Sequence, residues 1–263
     1  MIKLRALAFS IALCACIPVQ AQVDALMGAL KPGANGAGLS LVRESILRES
    51  AAVYGAREGL RTQSCLILSE IEKQRADLDR RFRFGDLMIG RGVLPPVISE
   101  ARDSMSLEDT VMRVASRVYR LDENARIVDV PPTWRDWLFV GLTPDSCGSG
   151  PIDPPKQDQL MPQNPQEEAF FRGVLGRSYN MGVQQGREVL EANLARLERT
   201  YFGMRRYFDL YARGMVSAPM IAASTDVVVR DDPNTLVVGN TVIRITVPVD
   251  FVEKASKWKP LGE

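Results

Sequence analysis

Four cysteines carry the most open chemistry in this chain: Cys14, Cys16, Cys65 and Cys147. The stretch Leu13-Cys14-Ala15-Cys16 closes an apolar run and can offer the Cys16 thiol for lipid modification. Cleavage before Cys16 would then leave an anchored protein. A rival cut lies after Ala21, at Val19-Gln20-Ala21, and would release an unmodified chain. Apart from a lipid-modified Cys16, either cut leaves only Cys65 and Cys147. In an oxidising compartment these two form a candidate disulfide; two buried free thiols are the alternative.

The other chemistry is bounded by what is missing. The sequence holds no histidine, which excludes Ser-His-Asp and Cys-His sites and removes the commonest metal ligand and general base. No GxSxG, CxxC or P-loop pattern occurs. Carboxylates remain, but no isolated Asp/Glu pair stands apart from the charged helix faces. No enzyme activity, cofactor or metal is expected.

The leader explains the first cysteines. Lys3 and Arg5 precede an apolar core over Ala6 to Ala15, too short to span a bilayer permanently. Residues 1–21 therefore read as a signal peptide, and the protein as exported. With 33 basic against 32 acidic residues, no global field draws it to nucleic acid or anionic lipid.

The elements that must position any site follow from periodicity. Residues 22–40, rich in Gly and Ala, read as a flexible tether. Apolar positions at Ile46, Val53, Leu60, Ile67 and Ile71 predict a helix over about 41–83. A second helix is expected from Val97 to about Val118, after Pro95-Pro96. Ile127 to Val130 and Trp137 to Val140 read as short strands around a Pro-Pro turn. Residues 143–164 are crowded with Pro, Gly, Asp and Ser and predict an irregular loop. Asn164-Pro165-Gln166-Glu167 is a helix start, with Asn as cap, Pro in the first position and Glu167 able to reach back in capping-box style. That helix should reach about Gly214. The tail returns to strands, with a turn at Asp231-Asp232-Pro233-Asn234 and a hairpin signal of type II′ at Gly239-Asn240. The expected class is α+β: long helices on a small, largely antiparallel sheet with a C-terminal β-hairpin, forming one domain over 41–263.

Two stripes of small residues recur at intervals of four: Ala51, Gly55, Gly59 and Ser178, Gly182, Gly186. Helical glycine costs about 1 kcal/mol against alanine, so repeated glycines imply a close backbone approach. The stripes should face each other, with a partner subunit as the alternative. Trp134, Arg135 and Trp137 are candidate interface residues, since Trp and Arg are enriched at interface hot spots; a core Trp with a local ion pair is the bland reading. Arg196, Arg199, Arg205, Arg206 and Arg213 interleave with Tyr201, Phe202, Tyr207, Phe208 and Tyr211. That pattern suits a solvated helix with a buried aromatic face better than a nucleic-acid surface, because Glu188, Glu191, Glu198 and Asp209 offset the charge.

Several segments in order, GAREGLRTQSCLILSEIEKQRADLDRRFRFGDLMI, VLPPVISEARDS, ARIVDVPPTWRDWL, LMPQNPQEEAFFRGVLGRSYNMGVQQG, NLARLERTYFGMRRYFDLYARGMVSAP and VVGNTVIRIT, resemble the DotC family of type IVB secretion and conjugation systems. The Pro-Thr-Trp-Arg-Asp element and the Gly-Met-Arg-Arg-Tyr run are its most specific parts. The resemblance implies a non-enzymatic lipoprotein of an outer-membrane core complex. Its expected companions are a DotD-like lipoprotein and a DotH-like channel component in a ring. The lipid on Cys16 would hold the protein at the periplasmic face of the outer membrane, with a soluble periplasmic form as the alternative. No small-molecule substrate is expected, and nucleic acid is not expected as a direct ligand. Two other functions stay open: a periplasmic cell-wall hydrolase working through carboxylates, and a nucleic-acid-binding conjugation protein.

Overall fold

The computed structural model describes residues 19–28, 40–90, 92–108, 111–142, 147–148, 150–232 and 235–259. Five helices are described: α1 (Val19–Gly28), α2 (Leu41–Lys73), α3 (Arg75–Arg81), α4 (Arg135–Leu138) and α5 (Pro165–Ala212). The strands are β1 (Val93–Leu94), β2 (Val97–Glu108), β3 (Val111–Glu123), β4 (Arg126–Ile127), β5 (Met220–Asp232) and β6 (Thr235–Val247). They pair antiparallel as β1 with β4, β2 with β3, and β5 with β6. The class is α+β, with long helices, small antiparallel sheets and a C-terminal hairpin. Two compact units are distinguished: residues to Asp77 with Leu138–Asn193, and Leu78–Trp137 with Leu194–Glu263.

The first unit is helical. Its core joins Leu47, Ala51 and Tyr54 of α2 to Phe171, Leu175 and Tyr179 of α5. Ser40 caps α2 by accepting the amide of Arg43 at 3.3 Å. At the start of α5, the Asn164 side-chain oxygen accepts the Glu167 amide at 2.8 Å, and Pro165 fills the first helical position, where its missing donor costs nothing. Residues 22–28, expected within a tether, instead continue α1. Val23, Leu26 and Met27 are buried in the same core, and Tyr179 donates its hydroxyl to Gln22 at 2.5 Å.

The second unit corrects two more expectations. Residues 97–118 form no helix but most of the β2–β3 hairpin, whose Ile98 pairs with Leu121 and whose Arg102 pairs with Arg117. Val97, Ile98, Val114 and Val118 are β-branched, and this preference outweighs the weak helical spacing. No glycine marks the link Asp109-Thr110, which left the hairpin without its usual sequence signal. Ile98 then joins Tyr207, Leu210, Val216 and Val249 in the core. There α5 passes so close to β2 that a side chain on Gly203 would stand 2.5 Å from Val97 Cγ1 and 3.2 Å from the Ile98 nitrogen.

The C-terminal strands lie on either side of Pro233-Asn234, with Asp232 opposite Thr235. Gly239-Asn240, expected as a turn, sits inside β6, and Asn240 faces Asp226. Both strands are 13 residues long, so more cross-strand pairs form than a turn at 239–240 would allow.

Candidate functional site

The tryptophan element is a folded knot in the second unit. Asp136 closes it by accepting from the Thr133 amide at 2.6 Å and the Thr133 hydroxyl at 3.2 Å. This is a helix-starting box, and it explains why Arg135–Leu138 is the helix α4 where residues 137–140 read as a strand. Likewise Ile127 to Val130 contributes only its first residue to a strand, β4. The Trp134 indole N–H donates to Asp79 at 2.6 Å, and the Arg135 guanidinium lies 4.0 Å above the Trp134 ring. Arg135 also approaches Asp79 at 3.7 Å. Trp137 stacks on Phe84 with centroids 4.6 Å apart, and Phe84 meets Tyr201 edge-on.

Trp134 is 1% exposed and Trp137 6%. Buried tryptophans have no face left for a partner, so the interface reading is corrected: both are core residues. Arg135 is the partly exposed member, covering its neighbour as a cation over an aromatic ring. The aromatic run of α5 divides in the same way. Tyr201 and Tyr207 are buried, whereas Phe202 and Tyr211 are exposed. Burial raises the Tyr207 hydroxyl to about 12, helped by the neighbouring Tyr211. Arg206 reaches the Ile98 carbonyl at 2.6 Å and Glu100 at 3.5 Å, so it ties α5 to β2.

In the first unit the two glycine stripes come together. A side chain on Gly55 would meet the Leu175 carbonyl oxygen at 2.6 Å, and one on Gly59 would overlap the Tyr179 carbonyl. The contact is reciprocal: Gly182 lies against the Ala56 carbonyl and the Leu60 nitrogen, and Gly186 against Gln63. Only residues without a Cβ let two helix backbones approach so closely.

A strap crosses the same unit. Cys147 is joined to Cys65 by a disulfide with the Cα atoms 5.3 Å apart. Further along, the Ile152 amide donates to Glu58 at 2.9 Å. Arg43 then donates to the carbonyls of Gln159 and Met161. Residues 43, 58 and 65 of α2 thus hold the irregular segment expected at 143–164, whose residues 143–146 and 149 lie outside the described residues. Each anchor is itself braced. Arg61 chelates Glu58 at 2.6 and 2.9 Å, and Arg43 chelates Glu167 at 2.9 and 3.1 Å. The Arg43 guanidinium holds the Glu167 carboxyl below its ordinary value, and the Gln163 amide adds to this while burial opposes it. Sequence reading saw Glu167 only as a capping residue and missed Glu58, because an i,i+3 Glu-Arg pair looks the same on a solvated helix face.

A model of the family described as "Type IV secretory system, conjugal DNA-protein transfer" matches residues 41–260. The chain belongs to this T4SS_TraI family. The match starts at the first residue of α2 and takes in residues of both compact units. A TraI-family chain works in type IV secretion and conjugal transfer, which settles the system in which it acts. No curated protein sequence matches the chain. Among the described residues, no group of three or more Cys, Asp or Glu side chains is arranged to hold a metal ion, and no helix is long and apolar enough to cross a membrane. Cys16 lies outside the described residues.

Proposed function

We propose that this TraI-family protein is a structural, non-enzymatic component of the outer-membrane core complex of a type IV secretion system, in the manner of the DotC family. It would bind a DotD-like lipoprotein and a DotH-like channel component in a ring, anchored by a lipid on Cys16. The observation that carries the reading is the family match over residues 41–260, joined to the ordered DotC-like segments within the same span. The Cys65–Cys147 disulfide supports an oxidising compartment such as the periplasm.

The anchor has a structural consequence. Since α1 starts at Val19, only Ile17 and Pro18 separate a lipid on Cys16 from the first helix. Cleavage after Ala21 would instead cut within α1 and leave Gln22, the partner of Tyr179, at the new terminus.

Two measurements test the proposal. Mass spectrometry of the mature N-terminus should find an acylated Cys16, and Cys16→Ser should release the protein from the membrane. Affinity purification from cells carrying the whole system should recover the channel component. An unmodified chain starting at Gln22 would remove the anchor, and a chain recovered alone would remove the scaffold.

A further inference from the structure

The second unit contains a cleft of about 420 Å³ between α5 and the end of β3, lined by Arg120, Asp122, Glu123, Arg196 and Arg199, with Val97 among its apolar residues. Its volume falls within the range of roughly 300–1,000 Å³ typical of ligand pockets. The three guanidiniums form no ion pair with any described residue. Elsewhere in this unit arginines do find carboxylates: Arg81 takes Glu198, Arg102, Arg117 and Arg206 share Glu100, and Arg135 approaches Asp79. The carboxylates of the cleft do not fill the role. Asp122 accepts from the Ser99 hydroxyl at 3.2 Å instead, and Glu123 lies in the same lining without pairing to the arginines.

Unpaired guanidiniums on concave walls concentrate positive potential and present flat forks that match a carboxylate or phosphate. The lining is of mixed sign, however. Asp122 and Glu123 would repel the successive phosphates of a nucleic acid, whereas a peptide can set an acidic side chain against the arginines and a basic one against the two acids.

We propose that this cleft docks a short segment of a partner protein in which acidic and basic residues alternate, held by Arg120, Arg196 and Arg199 on its acidic groups. The site goes beyond the scaffolding reading. It would stand even if the chain proved absent from an outer-membrane complex, because the test needs only the purified protein.

The probe is a fluorescein-labelled octapeptide of alternating Glu and Lys separated by Ala, titrated by anisotropy into the full mature chain at low salt. Binding should weaken at least tenfold in the double variant Arg196→Glu/Arg199→Glu, and also with a peptide carrying Gln in place of Glu. The melting temperature of the variant should match that of the native chain, since both side chains are exposed. Equal binding by variant and native chain, or no binding at millimolar peptide, would overturn the site. Displacement of the peptide by a single-stranded oligothymidylate of tenfold higher affinity would replace it with a nucleic-acid site. Displacement by low-millimolar inorganic phosphate would replace it with a phosphate site.

Discussion

Ile152 and Glu58 are 94 residues apart in sequence, yet the Ile152 amide donates to the Glu58 carboxylate at 2.9 Å. Glu58 is 3% exposed, so its charge must be met inside the protein, and Arg61 meets it through two hydrogen bonds. One buried carboxylate therefore does two things: it neutralises a cation on its own helix and fixes the backbone of a segment that has no regular structure. Irregular backbone near a protein core requires such partners, because an unpaired buried amide costs about 1–3 kcal/mol.

Glu58→Ala should destabilise the chain by about 3 kcal/mol, since it removes the buried carboxylate to which both Arg61 and the Ile152 amide donate. Glu58→Gln should cost less, because its amide oxygen can still receive Ile152. Urea unfolding measures the difference, and limited proteolysis should cut the alanine variant faster within 147–161. Unchanged proteolysis would mean that the strap is held without this carboxylate.

The disulfide is the second anchor of the strap. Joining residues 82 apart should contribute about 2–4 kcal/mol, in the chain-entropy account by restricting the unfolded state. Cys65→Ser with Cys147→Ser should lower the Tm by roughly 5–10 °C. A reductant should lower the native Tm by the same amount and leave the double variant unmoved. If the reductant shifts both equally, its effect lies elsewhere.

What could be read from the sequence was what repeats or what is chemically singular. The four-residue spacing of Gly55 and Gly59, and of Gly182 and Gly186, carries the helix crossing by itself, because nothing except close packing compensates the glycine cost. Asn164 and Pro165 likewise mark the start of α5 to the residue. The β2–β3 hairpin was not legible: its alternation is broken by Ala101, Arg102 and Asp103, and Asp103 adopts a positive φ of 49°. Trp134 carries no sequence mark telling a buried from a binding tryptophan; the decision lies with Asp79, 55 residues away, which accepts its N–H. The polar anchors Glu58 and Arg43 were invisible for the same reason, since their partners are backbone groups of a loop.

The glycine crossing gives a prediction in which two effects have opposite signs. Alanine gains about 1 kcal/mol over glycine in a helix interior, whereas forcing atoms into a packed contact costs about 1–3 kcal/mol. At Gly59 the clash is with the Tyr179 backbone, which cannot swing away. Gly59→Ala should therefore destabilise, and Gly55→Leu should do so more strongly. At Gly173, on the exposed side of α5, the nearest atom to an added Cβ is the Arg177 guanidinium nitrogen at 3.7 Å, so Gly173→Ala should stabilise by up to about 1 kcal/mol. Chemical unfolding of the three variants checks the signs. A stabilising Gly59→Ala would show that the helices do not approach as closely as the structure has them.

Glu167 ties stability to pH. The Arg43 guanidinium depresses its carboxyl below the ordinary 4.5, with the Gln163 amide and Asn164 acting in the same direction. The folded state therefore holds the charged form more tightly than the unfolded state does. On acidification the unfolded chain takes up the proton first, so the contribution of Glu167 is complete above about pH 4.5 and is lost as pH falls through the lower folded value. Glu167→Gln has no proton to exchange. At pH 7 it should be less stable than the native chain, by about 3 kcal/mol if Arg43 is left without a carboxylate. Below pH 4.5 the gap should close, because the native residue then also becomes neutral. Urea unfolding of both chains at pH 7, 5, 4 and 3 gives the four differences. A gap that stays constant down to pH 3 would mean that the Arg43–Glu167 pair does not couple folding to protonation.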